Sequence, residues 1–199
     1  MKMMFLAIIC GISVITVNAQ KKTMKSLDYI GLVNTTKFRN GDTIYEAKSQ
    51  AEWVYACEKG IPAWCYFNND STLGNRLGKI YNYYAIHDSR GLLPKGYVIP
   101  TKERFELLIE HNQKELFKEV NQGDAILIYK DSIIGGIRNR DGSFNHSTMA
   151  KTWWTSSEED DNEIYDGEIY GVTYLEKFQE FTLLGFFKCT GMYVIGVRE

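Results

Sequence analysis

After residue 123 the chain is dominated by short segments that are rich in β-branched and aromatic residues and are separated by Gly, Asn and Asp. In chain order they read AILIYK, IIGGIR, TWWTSS, EIYGVTYL, FQEFTLLGFF and GMYVIGVRE. Segments of this length and composition are typical of β-strands, and the residues between them favour tight turns. This part of the chain is therefore predicted to form a largely antiparallel sheet.

A first helix is predicted from Ser49 to Gly60. Ser49 caps its start, Glu52 three residues later completes a capping box, and Gly60 ends it. One face at helical spacing carries Trp53, Ala56 and Cys57. This spacing predicts that the face is buried, so Cys57 is interpreted as a core residue rather than a nucleophile.

A second helix is predicted to begin after Pro100, with Thr101 as its N-cap and Glu103 in its first turn, where a negative charge complements the helix dipole. Its predicted buried stripe consists of Phe105, Leu108 and Ile109.

Further strands are predicted at LDYIGLV, at PAWCYF and at KIYNYYAI (79–86), and Asn40-Gly41 is a strong turn signal. Two early helices followed by a group of late strands indicate an α+β domain, in which the helices pack on a mainly antiparallel, loop-rich sheet.

Residues 1–19 have the pattern of a secretory signal peptide. Lys2 precedes an apolar run, and Val17-Asn18-Ala19 places small residues at the positions that precede cleavage. The run is shorter than the roughly 20 apolar residues that a membrane-spanning helix needs. The chain is therefore predicted to be exported to the periplasm, the cell surface or the medium, without a stable transmembrane anchor. Residues 20–33 form a short lead segment.

The charge balance is close to neutral. The whole chain has 23 basic and 25 acidic residues, and removing Lys2 with the leader gives 22 − 25 = −3. With this balance, neither nucleic acid nor an anionic membrane surface is an implied partner. At this length, one domain with a substantial core is expected.

Three cysteines remain after the predicted cleavage, namely Cys57, Cys65 and Cys189. Export permits disulfides, but an odd number leaves at least one thiol free or paired between chains. Links of Cys65 to Cys57 and of Cys65 to Cys189 are both open. The spacing of cysteines and histidines does not match a zinc site.

The adjacent tryptophans Trp153 and Trp154 are the first candidates for ligand contact. Neighbouring side chains of a strand point to opposite faces, so both cannot lie in one core. Packing of both indoles is the favoured interpretation, and contact of one with a sugar is the functional alternative. Tyr84 is a third, weaker candidate for ligand binding.

The acidic run at 158–163 supplies enough oxygens for calcium, but it lacks the alternating spacing and central glycine of an EF-hand loop. Asp70, Glu158 and Asp160 are weak metal candidates, and a solvated loop is the favoured interpretation. No cofactor is predicted, and calcium is not indicated. Arg138 and Arg140 are expected to pair with nearby acids and have no predicted catalytic role.

Several segments resemble one known family in their order along the chain. They are KFRNGDTI, AEWVYACEKGIPAWCYFNND, GKIYNYYAIHDSRGLLPKGYVIPTKERFELL, GGIRNRDGSFN and TWWTSSEE. This pattern is similar to that of the Fibrobacter succinogenes major paralogous domain, and the resemblance spans residues 34–199. It implies a C-type lectin-like fold, shared distantly with formylglycine-generating enzymes, and an exported protein of Bacteroidetes-like bacteria.

The chain departs from the family pattern at its end, where Gly196 stands at a position that the family usually gives to cysteine. The resemblance therefore implies that Cys65 would have to pair with Cys189 or Cys57 instead. Enzymes on the related fold use two cysteines near the C-terminus, and only Cys189 lies in that region.

No recognisable set of nucleophile, base or paired carboxylates occurs in the sequence. The favoured hypothesis is a non-enzymatic, lectin-like binding module of the envelope that recognises a glycan or another surface protein. An enzyme with a cysteine or metal centre on the same scaffold is one alternative. A purely structural envelope subunit is the other.

Overall fold

The structure, a computed structural model, describes residues 29–118, 136–145, 150–158, 168–175 and 180–199. The predicted leader at 1–19 and most of the lead segment at 20–33 lie outside these ranges. The helices are α1 (Gln50–Glu58), α2 (Ser71–Leu77), α3 (Tyr83–Ile86) and α4 (Lys102–Lys118), with a 3-10 helix at Phe67–Asn69. The strands are β1 (Tyr29–Leu32), β2 (Tyr45–Glu46), β3 (Ala63–Tyr66), β4 (Lys79–Tyr81), β5 (Tyr97–Val98), β6 (Ile137–Arg138), β7 (Phe144–Asn145), β8 (Ala150–Glu158), β9 (Glu168–Leu175), β10 (Glu180–Phe187) and β11 (Ile195–Arg198). The predicted α+β class is confirmed.

Both predicted helices are present. In α1 the Ser49 hydroxyl accepts a hydrogen bond from the Glu52 backbone N–H, and the Glu52 carboxylate accepts one from the Ser49 N–H, so the capping box is confirmed. This hydroxyl is the main reason that the pKa of Glu52 is lowered. The three predicted core residues of α1, Trp53, Ala56 and Cys57, are buried.

Helix α4 is capped from two sides. The Arg104 backbone N–H donates to the Thr101 hydroxyl over 3.3 Å, and the Lys102 N–H donates to the Ser157 hydroxyl on β8 over 2.9 Å. Within its predicted stripe, Phe105 and Leu108 are buried, and Ile109 is partly buried and packs on the same cluster. None of the helices in the described ranges combines the length and the apolar character required to span a membrane.

The prediction of a continuous strand at 79–86 is wrong beyond Tyr81, because Asn82 ends β4 and starts α3. The buried Asn82 side-chain oxygen accepts hydrogen bonds from the backbone N–H groups of Ala85 and Ala63, each over 3.0 Å. An Asn side chain that caps a helix offers the backbone an alternative to the strand ladder. Helix α2, which the sequence analysis does not predict, is capped in the same way by Asp70.

The strands form several small sheets rather than the single predicted sheet. Three sheets have three strands each, in the orders β1-β11-β5, β10-β9-β8 and β2-β3-β4, and β6 pairs with β7. Within the described ranges, the pairing of β2 with β3 is the one parallel contact between these strands. The mainly antiparallel character is therefore confirmed.

A short segment, Gly191–Val194, joins these sheets. Met192 exchanges backbone hydrogen bonds with Tyr81 of β4, and Gly191 exchanges them with Arg138 of β6. Tyr193 donates to the carbonyl of Thr152 and accepts from the N–H of Trp154, both on β8. Met192, Tyr193 and Val194 are all completely buried. Because one segment bonds to several sheets, the early and late parts of the chain share one core.

A disulfide links Cys57 of α1 to Cys189, which follows β10, with a Cα–Cα distance of 5.2 Å. This distance is ordinary for a disulfide. Both expected pairings of Cys65 are wrong. Cys65 is a buried free cysteine on β3, and its side chain packs inside the core cluster with Trp53 and Tyr193.

Candidate functional site

The tryptophan pair is fully inside the protein. Trp153 and Trp154 both have 0% exposure, and they belong to two different core clusters, as expected for neighbours on a strand. Trp153 packs near Phe105 of α4, while the Trp154 indole N–H donates to the Tyr81 carbonyl over 2.8 Å. Neither indole has a face on which a sugar can stack, so the ligand role considered for both is replaced by a structural one.

Tyr84 lies away from this pair. It is partly exposed, and its ring passes beside Gly60, where an added Cβ would come within 3.6 Å of the ring. Gly60 has φ +62°, so this glycine allows both the helix end and the approach of the ring. Tyr84 lines neither of the two cavities described below. Its ligand role stays a prediction.

The metal candidates do not form a cluster. The Asp70 carboxylate accepts hydrogen bonds from the backbone N–H and the hydroxyl of Thr72, over 2.8 and 2.7 Å. The Glu158 side chain and the whole of Asp160 lie outside the described residues. Among the residues that the structure describes, no three His, Cys, Asp or Glu side chains are close enough to hold a metal ion together.

Cys65 is a poor candidate for a reactive thiol. Burial raises its pKa to about 12, and the nearby Arg138 guanidinium offsets only part of this effect. Since the thiolate is the nucleophilic form, Cys65 is protonated and inert at neutral pH.

One concave surface in the described part of the chain is a cleft of about 600 Å³ between α1, the β6–β7 turn and the end of β10. We call it the Phe187 cleft. Its lining consists of Val54, Cys57, Glu58, Ile137, Asn139, Arg140, Asp141, Gly185, Phe186, Phe187 and Thr190. Its volume lies in the range of small-molecule binding sites, and its wall combines aromatic rings with a few polar side chains, as such sites usually do.

Arg138 holds the polar wall of the cleft in place. Its side chain has 0% exposure and donates to the carbonyls of Gly142, Ala47 and Ser49 over 3.1, 2.9 and 2.7 Å. It also stacks on Trp53, with the guanidinium carbon 4.9 Å from the ring centroid. The prediction that Arg138 pairs with acids is therefore wrong, because its partners are backbone carbonyls and the Trp53 ring. One buried cation thus ties the start of α1 to the turn that carries Arg140 and Asp141.

The turn itself is rigid. Asp141 accepts hydrogen bonds from the backbone N–H and the hydroxyl of Ser143, over 2.9 and 2.6 Å, and the hydroxyl contact is the main cause of its lowered pKa. Gly142 has φ +79°, and an added Cβ would lie 2.8 Å from the Gln50 carbonyl. Glycine is therefore required here, both for the conformation and for the close approach to α1.

The aromatic wall comes from the end of β10. Phe187 is 48% exposed and lines the cleft. Phe186 points across the neighbouring strand, where a Cβ on Gly171 would come within 2.8 Å of its ring. The disulfide residue Cys57 and the buried Thr190 complete the lining beside these rings.

The cleft can bind a ligand by stacking on an exposed ring and by hydrogen bonding to its polar side chains. Glu58, Arg140 and Asp141 are exposed at its rim, and Asn139 is half-buried. None of these residues was predicted from the sequence to bind a ligand. Two local signals were available, namely the Asp141-Gly142 turn dipeptide and the adjacent Phe186-Phe187 pair near a strand end, one of which has to face outward.

Comparison with known proteins gives one match. The sequence model of the Fibrobacter succinogenes major domain matches residues 24–132, which is more than half of the chain. No curated protein and no solved structure matches the chain. The segments after 132 that resemble the family in the sequence lie in the same core as the matched part, since Arg138 and Tyr193 bond to it or pack within it.

Proposed function

The chain belongs to the Fibrobacter succinogenes major domain family, and we propose that it is an exported binding module of the bacterial envelope that recognises a surface glycan in the Phe187 cleft. The cleft itself carries the proposal, because a ring that is 48% exposed faces a pocket of about 600 Å³ with polar side chains on a rigid turn. Such an arrangement is pre-organised for a ligand that has both apolar and hydroxylated faces.

Between the two proposed ligand classes, the shape of the cleft favours a glycan over an envelope protein. A stable protein–protein interface buries about 800 Å² on each partner, and its centre is usually a flat apolar surface with a polar rim. A pocket of about 600 Å³ instead has room for a few sugar rings. The fixed Asp141 and the half-buried Asn139 present oxygen and nitrogen atoms that hydroxyl groups can bond.

Two observations support export. The first is the signal-peptide pattern of residues 1–19. The second is the disulfide between Cys57 and Cys189. Disulfides form and persist in oxidising compartments and are rare in reducing ones. The bond also lies beside the cleft, so an oxidising environment would help to hold α1 and the end of β10 together there.

We further propose that the finer fold is C-type lectin-like, as the family resemblance implies. The antiparallel contact of β1 with β11 and the placement of α1 and α4 around small antiparallel sheets support this assignment. An experimental structure whose strand order differs from that in the described ranges would overturn it.

A non-catalytic role is part of the proposal. Cys189 is held in a disulfide, and the pKa of Cys65 is raised to about 12 by burial. A cysteine-centred enzyme on this scaffold would need one of these residues as an accessible thiolate. Incubation with thiol-directed reagents should therefore leave the folded protein unlabelled.

The proposed function is tested by a glycan array probed with the protein purified after export, together with a pull-down from envelope extract. We expect binding to a restricted set of glycans. Phe187→Ala should weaken this binding about tenfold or more, as loss of a central aromatic contact usually does.

The matched control is Leu184→Ala. Leu184 is an exposed apolar residue of the same strand, with 43% exposure, and it does not line the cleft. This variant should keep binding within about twofold. Equal losses in both variants would contradict a site in the cleft. Capture of a specific protein with no glycan binding would replace the glycan by an envelope protein as the ligand.

A further inference from the structure

A second cavity of about 360 Å³ lies on another part of the surface, between the turn at 38–42, strand β5 and the start of α4. We call it the Arg39–Arg104 cleft. Its floor is apolar, since Leu92, Leu93 and Ile99 line it and are at most 9% exposed. Two arginines line it, and none of its lining residues is Asp or Glu. A pocket with positive charge and an apolar floor stands out in a chain whose net charge is −2.

Arg39 is fixed in a way that leaves its terminal nitrogens available. Its Nε donates to the Leu93 carbonyl over 3.0 Å, and its backbone N–H donates to the Gly91 carbonyl over 2.8 Å. The guanidinium lies directly over Gly91, where an added Cβ would come within 3.1 Å of Cζ and Nη2. In the described part of the chain, neither Nη atom of Arg39 has a hydrogen-bond partner. A planar fork that is held by its Nε and free at its Nη atoms is suited to bidentate binding of a carboxylate.

Arg104 supplies the second charge. One of its terminal nitrogens donates to the Arg198 carbonyl, which holds the side chain against β11. Thr101 and Ser156 also line the cleft and bring two hydroxyl groups to the same space. The cleft thus offers charged and neutral donors above an apolar floor.

Two acids in the turns around Arg39 form ion pairs with a different arginine. Asp42 and Asp88 both bind Arg90, over 3.1 and 2.8 Å. Hydrogen bonding to Arg90 is the main cause of the lowered pKa of Asp88, so this carboxylate stays charged and paired. In the described part of the chain, neither of these two carboxylates hydrogen-bonds to the Arg39 guanidinium.

We propose that the Arg39–Arg104 cleft binds a carboxylate carried on a small ring, the class to which uronic acids belong. Arg39 would take the carboxylate through both Nη atoms, Arg104 would add a second positive charge, and Thr101 and Ser156 would bond ring hydroxyls. The apolar floor would cover one face of the ring. A cavity of about 360 Å³ matches one such ring rather than an extended chain. The inference stands independently of the Phe187 cleft.

The test is an NMR titration of the full processed protein labelled with ¹⁵N in its arginine side chains. The probes are sodium glucuronate, glucose and cyclohexanecarboxylate, each at matched ionic strength. The Arg39 Nε–H signal is assigned by its loss in Arg39→Gln. Glucuronate should shift this signal saturably, and glucose should leave it in place.

Affinity is then compared between variants by calorimetry. Arg39→Gln and Arg104→Gln should each weaken glucuronate binding about tenfold or more, because hydrogen bonds to charged groups are the strongest in such sites. Lys37→Gln is the matched control, since Lys37 is an exposed cation two residues from Arg39 and does not line the cleft. It should bind glucuronate within about twofold of the parent protein.

Several results would overturn the inference. They are equal binding of glucose and glucuronate, unchanged affinity in both arginine variants, an equal loss in Lys37→Gln, and no saturable shift with any acid. Binding of cyclohexanecarboxylate without glucuronate would also overturn the assignment to sugar acids. A negative glycan array with a positive titration here would reject glycan binding in the Phe187 cleft and would leave the Arg39–Arg104 cleft supported.

Discussion

Trp154 and Phe187 are aromatic residues of the same three-stranded sheet, yet one has 0% exposure and the other 48%. Trp154 lies on β8, which pairs with β9 on one side and receives the Gly191–Val194 segment through Tyr193. Phe187 lies at the end of β10, whose one strand partner in the described ranges is β9. The difference shows that a ring becomes buried core or exposed surface through its neighbours across the sheet rather than through its own segment.

The largest effect that would test this comparison is expected from the buried tryptophans. Trp154→Ala and Trp153→Ala should each lower the free energy of unfolding by about 3–5 kcal/mol, because each leaves a large cavity in the core. Urea denaturation measures the change. The exposed aromatic Tyr55 (51%) is the matched control, and Tyr55→Ala should change the free energy by no more than about 0.5 kcal/mol. Similar losses of unfolding free energy in the tryptophan variants and in Tyr55→Ala would contradict the contrast between buried and exposed aromatic residues.

The disulfide joins α1 to the segment that follows Phe187, and its loss should have the next largest effect on stability. Cys189→Ser should lower the free energy of unfolding by about 2–5 kcal/mol, since the bond closes a loop with a sequence separation of 132. Mass mapping of the non-reduced protein should find the peptides of Cys57 and Cys189 linked. Cys65 should react with alkylating reagents only after unfolding. A link that includes Cys65 would contradict the described arrangement.

Arg138 connects the core to the wall of the Phe187 cleft. Arg138→Lys should lower the free energy of unfolding by about 2–3 kcal/mol. The carbonyls of Gly142, Ala47 and Ser49 are bonded by three different guanidinium nitrogens, and a single ammonium nitrogen cannot occupy all three positions. Arg140→Lys, at an exposed position, should change the free energy of unfolding by less than about 0.5 kcal/mol. Its main effect should be on ligand binding in the Phe187 cleft. Equal stability losses at both positions would show that Arg138 does not have the described role.

Local signals account for the features that were predicted correctly. The capping box of Ser49 and Glu52 and the cap at Thr101 involve residues within three positions of each other, so the sequence carries them directly. The opposite placement of Trp153 and Trp154 follows from strand geometry alone.

Two of the missed features, the helix caps at Asn82 and Asp70, are local and were open to prediction from the sequence. The others depend on contacts that are distant along the chain, such as the disulfide that joins Cys57 to a residue beyond β10. Three cysteines allow several pairings, and no local rule selects among them. The cleft was missed for the same reason, because Phe187 and Asp141 meet only when β10 and the β6–β7 turn come together.

The smallest expected effect is at the surface, beside the Arg39–Arg104 cleft. Hydrogen bonding to Arg90 lowers the pKa of Asp88, so the folded state gains stability above the unfolded pKa of about 3.9 and loses it as the pH falls through the folded pKa. Asp88→Asn should therefore lower the free energy of unfolding by at most about 1 kcal/mol at neutral pH. Urea midpoints of the parent protein and of Asp88→Asn should differ in neutral buffer and should coincide in strongly acidic buffer. A difference that persists there would assign the loss to something other than the charged carboxylate.

The most direct measurement is a crystal structure of the exported protein with a glycan identified on the array. The ligand should lie against Phe187 and bond to Asn139 or Asp141, with Trp153 and Trp154 buried and out of contact. A glycan stacked on either tryptophan, or bound with the Phe187 cleft empty, would contradict the account.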